Sequence, residues 1–371
     1  MLSRKLVGTL CLAAASCVLW ASAAQAVDVF NLGGTYNPAT GQWTGTASLE
    51  MVPVGNAGNA ADPFNPDGYG NLGAVPYNYN IGKYDVTAGQ YTAFLNAVAK
   101  TDTYGLYNSN MANAASMGAD YVGCGISQTG TSGNYTYATT KNANFPVNYV
   151  SFWDSCRFTN WLQNGQPTGV NEGAGTTETG AYDLTNPTAL ANNTVTRTTG
   201  ASWAVASENE WYKAAYYDPT KRGGAGYWMY PTRSDTAPGN SLALAATTPN
   251  EANYYGDWGT KNYGYMDPIN FLTPVGMFAA SPSAYSTFDQ GGDVWQWNDT
   301  VALYSPARVL RGGSFYRDDN SLLSGICGEP HPASENEGLG FRVSQVPEPA
   351  SVGLLGLGVI GVLVRRRGAS R

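Results

Sequence analysis

Histidine is all but missing from this 371-residue chain: His331 is the only one. That excludes three-histidine iron or zinc centres, and any serine–histidine–aspartate arrangement would have to be built around this residue. Flanked by Pro330 and Pro332 in a polar stretch, His331 reads as a solvated loop residue. Cysteine is nearly as scarce. Of five, Cys11 and Cys17 lie in the N-terminal apolar segment, which leaves Cys124, Cys156 and Cys327. In an oxidising compartment three thiols allow one disulfide and leave one thiol, and their spacing does not choose the pair or suggest a zinc site. Charge is sparse too, at 13% of residues. No apolar run reaches the length of a confident membrane span, and the two that come nearest lie at the ends.

The first of these follows Arg4 and Lys5, runs from Leu6 to Trp20, and gives way to Ala24-Gln25-Ala26. Basic start, short apolar centre and small-residue exit describe a secretory signal peptide over residues 1–26. The second runs from Val352 to Val364, is preceded by Val346-Pro347-Glu348-Pro349 and is closed by Arg365, Arg366 and Arg367. By composition alone it is a marginal transmembrane helix with a cytoplasmic basic flank. The order Pro-Glu-Pro, short apolar segment, basic tail resembles a PEP-CTERM sorting signal, here residues 346–371. The resemblance implies processing by an exosortase, transient membrane association through this segment, and export to the surface or extracellular matrix of a Gram-negative bacterium.

The two ends hold six of the 20 basic residues and, with Glu348 counted in the body, none of the 27 acids, so the body carries 14 − 27 = −13. Such a surface repels nucleic acid and suits cations. The body, residues 27–345, is rich in what the chain does contain: 45 glycines, 25 tyrosines and 10 tryptophans in the whole sequence. Three helices are legible. One begins at Thr87 with Gln90 in capping-box spacing and carries Tyr91, Phe94, Leu95 and Val98 on one face. A second has Ser151 as N-cap, Asp154 in its first turn and Gly165 beyond its end. The third is capped by Ser207 with Glu210 and stopped by Pro219. Between them lie polar, aromatic stretches: 55–79, 119–144, 167–202 and 221–262. Loops of that length are uncommon in compact domains, so metal ions, disulfides or stacked aromatics are expected to tie them down.

The chain gives, in order, IGKYDVTAGQYTAFLNA, FPVNYVSFWDSCRFTNWL, WAVASENEWYKAAYY, TPVGMF, TFDQGGDVWQWND, RVLRGGSF and GLGFRV. This series resembles the formylglycine-generating enzyme (sulfatase-modifying factor) family from about Leu49 to Val343. The resemblance implies an α+β, loop-rich variant of the C-type-lectin-like fold and two structural calcium sites. At the first, Asn253 and Asp267 are expected to give side-chain oxygens, with carbonyls from Tyr254 and Ile269. At the second, Asp289 and Gln296 would give side chains, with carbonyls from Gly292 and Val294. Gln296 stands where the family has glutamate, while Asp293 puts a carboxylate nearby where the family has asparagine. Calcium takes hard oxygens, carbonyls included, and suits an exported loop-rich fold; plain turn formation is the alternative for these Asp, Asn and Gly residues.

The family's copper chemistry needs two cysteines after the RGGS turn. The corresponding positions hold Arg317 and Leu322. Neither supplies the thiolate a soft Cu(I) ion requires, and Cys327, five residues further on, stands alone. Neither copper nor iron is expected as a cofactor. The segment leading into the third helix is Ala204-Val205-Ala206-Ser207-Glu208 where the family commonly has Arg-Leu-Pro-Thr-Glu, so an arginine is lost. Cys156 reads as a buried apolar side chain. Trp295 and Trp297 fall in the family's core motif and read as structural, whereas Trp228, Tyr230, Tyr254, Tyr255 and Trp258 are candidates to stack on sugars. The expectation is therefore a non-catalytic, calcium-stabilised exported domain that binds exopolysaccharide or a surface protein. The alternative is an oxidoreductase-like enzyme of the same fold acting at another site.

Overall fold

The computed structural model describes residues 27–346, apart from 38–39, 41, 65–70, 114–121, 258–261 and 304–305. The signal segment, the Pro-Glu-Pro motif, the apolar segment that follows it and Trp258 lie outside the described residues. Among the described residues no helix is long and apolar enough to cross a membrane.

The three helices form where their caps place them. Helix α1 spans Ala88–Val98 and α2 spans Phe152–Gln163, each with a reciprocal cap, Thr87 with Gln90 and Ser151 with Asp154. A short helix, α3 at Pro187–Ala191, is begun by Asn186 and a proline in its first turn. Helix α4, Glu208–Tyr216, has the Ser207–Glu210 box but ends before Pro219. Tyr217 and Asp218 turn extended and pair with Gly226 and Tyr227 instead. The stretch expected as loop at 119–144 also holds a hairpin, Ile126–Thr129 against Thr136–Thr139.

Two small sheets organise the rest. The larger contains β1 (Val27–Phe30), β2 (Leu49–Val54), β3 (Tyr79–Gly82), β4 (Trp203–Val205) and β8 (Val343–Gln345) in the order β1-β2-β3-β8-β4, all antiparallel. The last described strand thus lies inside the sheet, with Ser344 opposite both Ile81 and Ala204. The smaller has β5 (Trp295–Val301) between antiparallel β6 (Arg308–Arg311) and parallel β7 (Leu339–Phe341). The main core forms where α1 and α2 meet β7. Phe158 lies 5.3 Å from Phe341 and 5.3 Å from Phe94, and Trp161 5.3 Å from Phe94, ring centre to ring centre. Aromatics packed edge to face bury large apolar areas here, which suits a chain rich in tyrosine and tryptophan.

Among the described residues no disulfide joins the cysteines. Cys124 and Cys156 are fully buried in the core, where burial pushes the Cys124 thiol up to about 11, and Cys327 is only partly buried. Long loops are held instead by buried asparagines. Asn148 accepts from the Cys124 amide (2.9 Å) and donates to the carbonyls of Val122 (2.6 Å) and Glu337 (2.7 Å). Asn160 does the same for Thr177 and Tyr182, and Asn144 for Gly45 and Ala47. A primary amide offers two donors and an acceptor, so one side chain satisfies several backbone groups in loops that have no ladder of their own.

Candidate functional site

The site grows from β6. Both of its arginines point inward and are fully buried. Arg308 donates to Asn193 Oδ1 (2.6 Å) and the Val195 carbonyl (2.7 Å), and lies over the Phe152 ring at 4.3 Å. Arg311 pairs with the buried carboxylate of Glu208 at the start of α4 (Nε–Oε1 2.9 Å) and donates to the carbonyls of Ser324 and Ile326. These two cations anchor the strand and the loop that follows it.

At the end of β6 the chain reverses through Gly312 and Gly313, both at positive φ (103° and 76°). A Cβ on Gly312 would stand 2.7 Å from the Gln290 carbonyl oxygen, and one on Gly313 2.6 Å from Ser321 Oγ. Backbone conformation and space both require glycine at these positions. The turn also fixes its neighbour, since Gly292 N donates to the Gly312 carbonyl (2.8 Å) and Phe315 N to that of Asp293 (2.8 Å).

Beyond the turn a cleft of about 590 Å³ opens, with Trp295, Leu310 and Leu339 among its walls. Arg317, Asn320, Glu329 and Asn336 supply its polar groups, and Cys327 its thiol. The Arg317 guanidinium is exposed, lies 5.2 Å from the Tyr316 ring centre, and makes no ion pair among the described residues. Leu322 does not reach this space. It is completely buried in a separate cluster with Tyr230, Ala252 and Tyr254. The two positions that correspond to the family's cysteines therefore face different surroundings. His331 is exposed in a turn, its Nδ1 accepting from the Ala333 amide at 3.2 Å.

The residues expected around calcium fall into two groups joined by Asn253, whose carbonyl accepts from the Asp293 amide (2.8 Å). In the first group, the Asn253 amide nitrogen donates to the Phe271 carbonyl (2.8 Å) and Asp293 Oδ1 (3.0 Å). Its oxygen, Oδ1, is buried and has no hydrogen-bond partner. An orphaned buried oxygen is costly, and a hard cation would satisfy it. Asp267 caps its own turn, accepting from the amides of Ile269 (2.8 Å) and Asn270 (2.9 Å), and Ile269 is 75% exposed. The Tyr254 carbonyl accepts from Asn240 (2.8 Å).

In the second group, Asp289 accepts from Gly276 N (2.7 Å) through Oδ2, while its buried Oδ1 has no partner. Gln296 is turned the other way. Its oxygen accepts from Trp211 Nε1 (2.6 Å) and Arg342 Nε (3.1 Å), and its nitrogen donates to the Asp289 carbonyl (2.8 Å). Gly292 and Val294 lie between them on the same loop; a Cβ on Gly292 would stand 2.0 Å from the Asn253 carbonyl oxygen. Asp293 is not a bystander, since it accepts from Thr273 N (2.9 Å), Thr273 Oγ1 and Asn253. Burial pushes its carboxyl up to about 7 and that of Asp289 to about 6, although hydrogen bonds pull both down.

The aromatic candidates divide differently from the expectation. Tyr230 and Tyr254 are buried, and Tyr255 packs on Tyr265 at 4.6 Å, so these rings serve the fold. Trp228 is half-buried, bonded to Asp218 Oδ2 (3.1 Å) and covered by Lys221 Nζ at 4.2 Å. Trp297 is fully buried and donates to the Val150 carbonyl (2.9 Å), as its core reading implied, but Trp295 also reaches the cleft. Sequence reasoning missed the anchoring arginines. Near position 204, where the family's arginine is missing, Arg197 pairs with Glu210 (2.7 Å) and Asp299 and donates to the Val205 carbonyl (2.8 Å). Burial opposes a charge on Glu210, but Arg197 and the cap amide outweigh it and hold the carboxyl down at about 2.

Comparison with known proteins gives a family match over residues 55–346 to the Sulfatase-modifying factor enzyme 1-like domain, and a match over residues 345–367 to the PEP-CTERM protein-sorting motif. Curated proteins give no match. Among solved structures, Treponema denticola variable protein 1 is similar at 15% identity, over 81% of this chain and 96% of that one, with a TM-score of 0.45. CarF is similar at 18% over 80% and 98% (TM-score 0.45), and PvdO from Pseudomonas aeruginosa at 17% over 81% and 95% (TM-score 0.44). The family match spans most of the chain: it belongs to the sulfatase-modifying factor family, with that family's loop-rich α+β variant of the C-type-lectin-like fold. Its sorting motif is the recognition signal for exosortase processing and marks an exported protein of Gram-negative bacteria.

Proposed function

We propose that this exported member of the sulfatase-modifying factor family is a binding module, non-catalytic toward cysteine, that engages extracellular polysaccharide or a surface protein through the cleft beside the Gly-Gly turn. The observation that carries this reading is the cleft's chemistry. An exposed guanidinium, two asparagine amides and the rings of Trp295 and Tyr316 line it, while position 322 faces another cluster altogether. Planar hydrogen-bonding groups beside aromatic rings suit a sugar's hydroxyls and its apolar face. A pair of thiolates, which copper would need, has no counterpart in these side chains.

Calcium at the first site completes the proposal. Asn253 Oδ1 and Asp267 would hold it, with the carbonyls of Tyr254 and Ile269. When bound, the ion would supply charge and coordination that join the 253 and 267 segments, a structural role. Chelation is expected to lower the melting temperature, and Asn253→Ala to abolish that dependence. A melting temperature indifferent to chelator would contradict the calcium reading, since a ligand of the native state must stabilise it.

The binding reading is tested by titrating bacterial exopolysaccharides into the purified chain and its Arg317→Ala and Asn336→Ala variants. Affinity lost about tenfold or more in either variant is the expected result, equal to about 1.4 kcal/mol. Absence of binding across neutral and acidic polysaccharides, together with absence of a captured surface protein, would overturn it. One feature favours the alternative enzymatic reading, the Cys327 thiol in the same cleft. Under the binding reading Cys327→Ser leaves polysaccharide affinity unchanged.

A further inference from the structure

Gln296 is fully buried, and the groups around it settle which way its amide lies. Its oxygen faces the indole N–H of Trp211 and the Nε–H of Arg342. Indole and guanidinium can only donate, so the nitrogen end cannot be placed there. The nitrogen end therefore faces the loop and donates to the Asp289 carbonyl, on the side where the expected second calcium would draw its ligands. A glutamate here would keep one oxygen on Trp211 and Arg342 and turn a second oxygen to that loop. Glutamine replaces that second oxygen with a donor.

Charge acts in the same sense. Arg342 is buried one hydrogen bond from Gln296, and it also donates to the carbonyls of Gly82 (2.6 Å) and Phe288 (2.6 Å) and contacts Asp85 Oδ1 (3.3 Å). With a neutral amide at 296, a divalent cation would meet this guanidinium with no carboxylate from that position between them. Repulsion of that kind is strong in a low-dielectric interior. Two features favour a cation, the orphaned Asp289 Oδ1 and the orphaned Oδ2 of Asp85, whose carboxylate pairs with Arg342 and offsets part of that repulsion. Asp289 lines a cavity of about 10 Å³, with Ser281, Thr287 and Gln290 among its other walls. That is room for one water or one bare ion, so what opposes calcium here is the donor that position 296 presents and not the space.

We propose that the second calcium site of this fold has become metal-independent, its loop closed by the Gln296 amide and Arg342, so that calcium binds only at Asn253. The inference rests on the calcium reading above for its first site but not for its second.

Calcium titration into the EDTA-stripped full-length chain, by calorimetry and by melting temperature, separates the possibilities. Asp289→Asn is expected to leave the wild-type calcium count unchanged. Gln296→Glu is expected to gain one calcium per chain and to melt at a temperature several degrees more calcium-dependent than the wild type. Loss of one calcium in Asp289→Asn, or no gain in a folded Gln296→Glu chain, would overturn the proposal. If Gln296→Glu folds only with calcium present, the gain of a metal site is shown directly. A wild-type chain that takes up no calcium at all would remove the Asn253 site and leave the metal-independence of the second loop standing.

Discussion

Asn148 holds together three places far apart in the chain, Val122, Cys124 and Glu337, with one side chain. Asn148→Leu keeps much of the volume and removes every bond, taking the side-chain partner from the buried Cys124 amide and Val122 carbonyl and one bond from the Glu337 carbonyl. At about 1–3 kcal/mol for each unsatisfied buried group, partly relieved by relaxation, a loss of about 3 kcal/mol in urea unfolding is expected. Arg311 has a similar standing: Arg311→Leu removes the guanidinium paired with the buried Glu208 carboxylate and is expected to cost about 3–5 kcal/mol, much of it recovered by adding Glu208→Leu. Two further carboxyls set the response to pH. Burial raises Glu172 to about 7 despite amides from Thr103 and Tyr104, with Asp102 adding to the rise and Arg157 opposing it. Burial and the Asp154 charge raise Glu335 to about 7. A raised carboxyl binds its proton more tightly in the folded state, so stability falls as pH climbs from the ordinary value near 4.5 toward 7 and then levels. Thermal melts across that window are expected to show the decline, and Glu172→Gln with Glu335→Gln to lessen it, the remainder belonging to Asp289 and Asp293, which burial also raises.

The helices announce themselves because capping is a local transaction. Thr87, Ser151 and Ser207 each bond an amide three residues on, and that residue's side chain returns the bond to the cap. Each of Thr87→Ala, Ser151→Ala and Ser207→Ala is expected to cost about 1 kcal/mol in chemical unfolding. The same locality explains why α3 was legible in principle, from Asn186 and Pro187, yet too short to show an apolar face. Strands are another matter. Those of the larger sheet run only three to six residues, and β8 pairs with segments more than a hundred residues away. Alternation over three residues carries almost no signal, so the sheet became visible only through the ordered family motifs, not through periodicity. The end of α4 shows the same limit. Pro219 marked a stop, but pairing of Tyr217 with Tyr227 stopped the helix sooner.

For the molecule as a whole, the sequence carried the family, the sorting motif and the positions of the missing cysteines, because each is written in residue identity. It could not show that Leu322 faces away from the cleft, that Gln296 presents its nitrogen to the loop, or that Tyr230 and Tyr254 are buried, because those depend on neighbours from distant segments. The buried position of residue 322 has a consequence for engineering. Arg317→Cys with Leu322→Cys is not expected to create a tight Cu(I) chelate, since one thiol would open on the cleft and the other on the core. The claim at the centre is that this cleft binds and does not oxidise cysteine. Its most direct test is to incubate the purified, calcium-replete chain with Cu(I), oxygen and a cysteine-containing sulfatase peptide, and to assay the peptide for aldehyde by mass spectrometry. The peptide is expected to retain its cysteine; conversion to the aldehyde over repeated turnovers would contradict the reading.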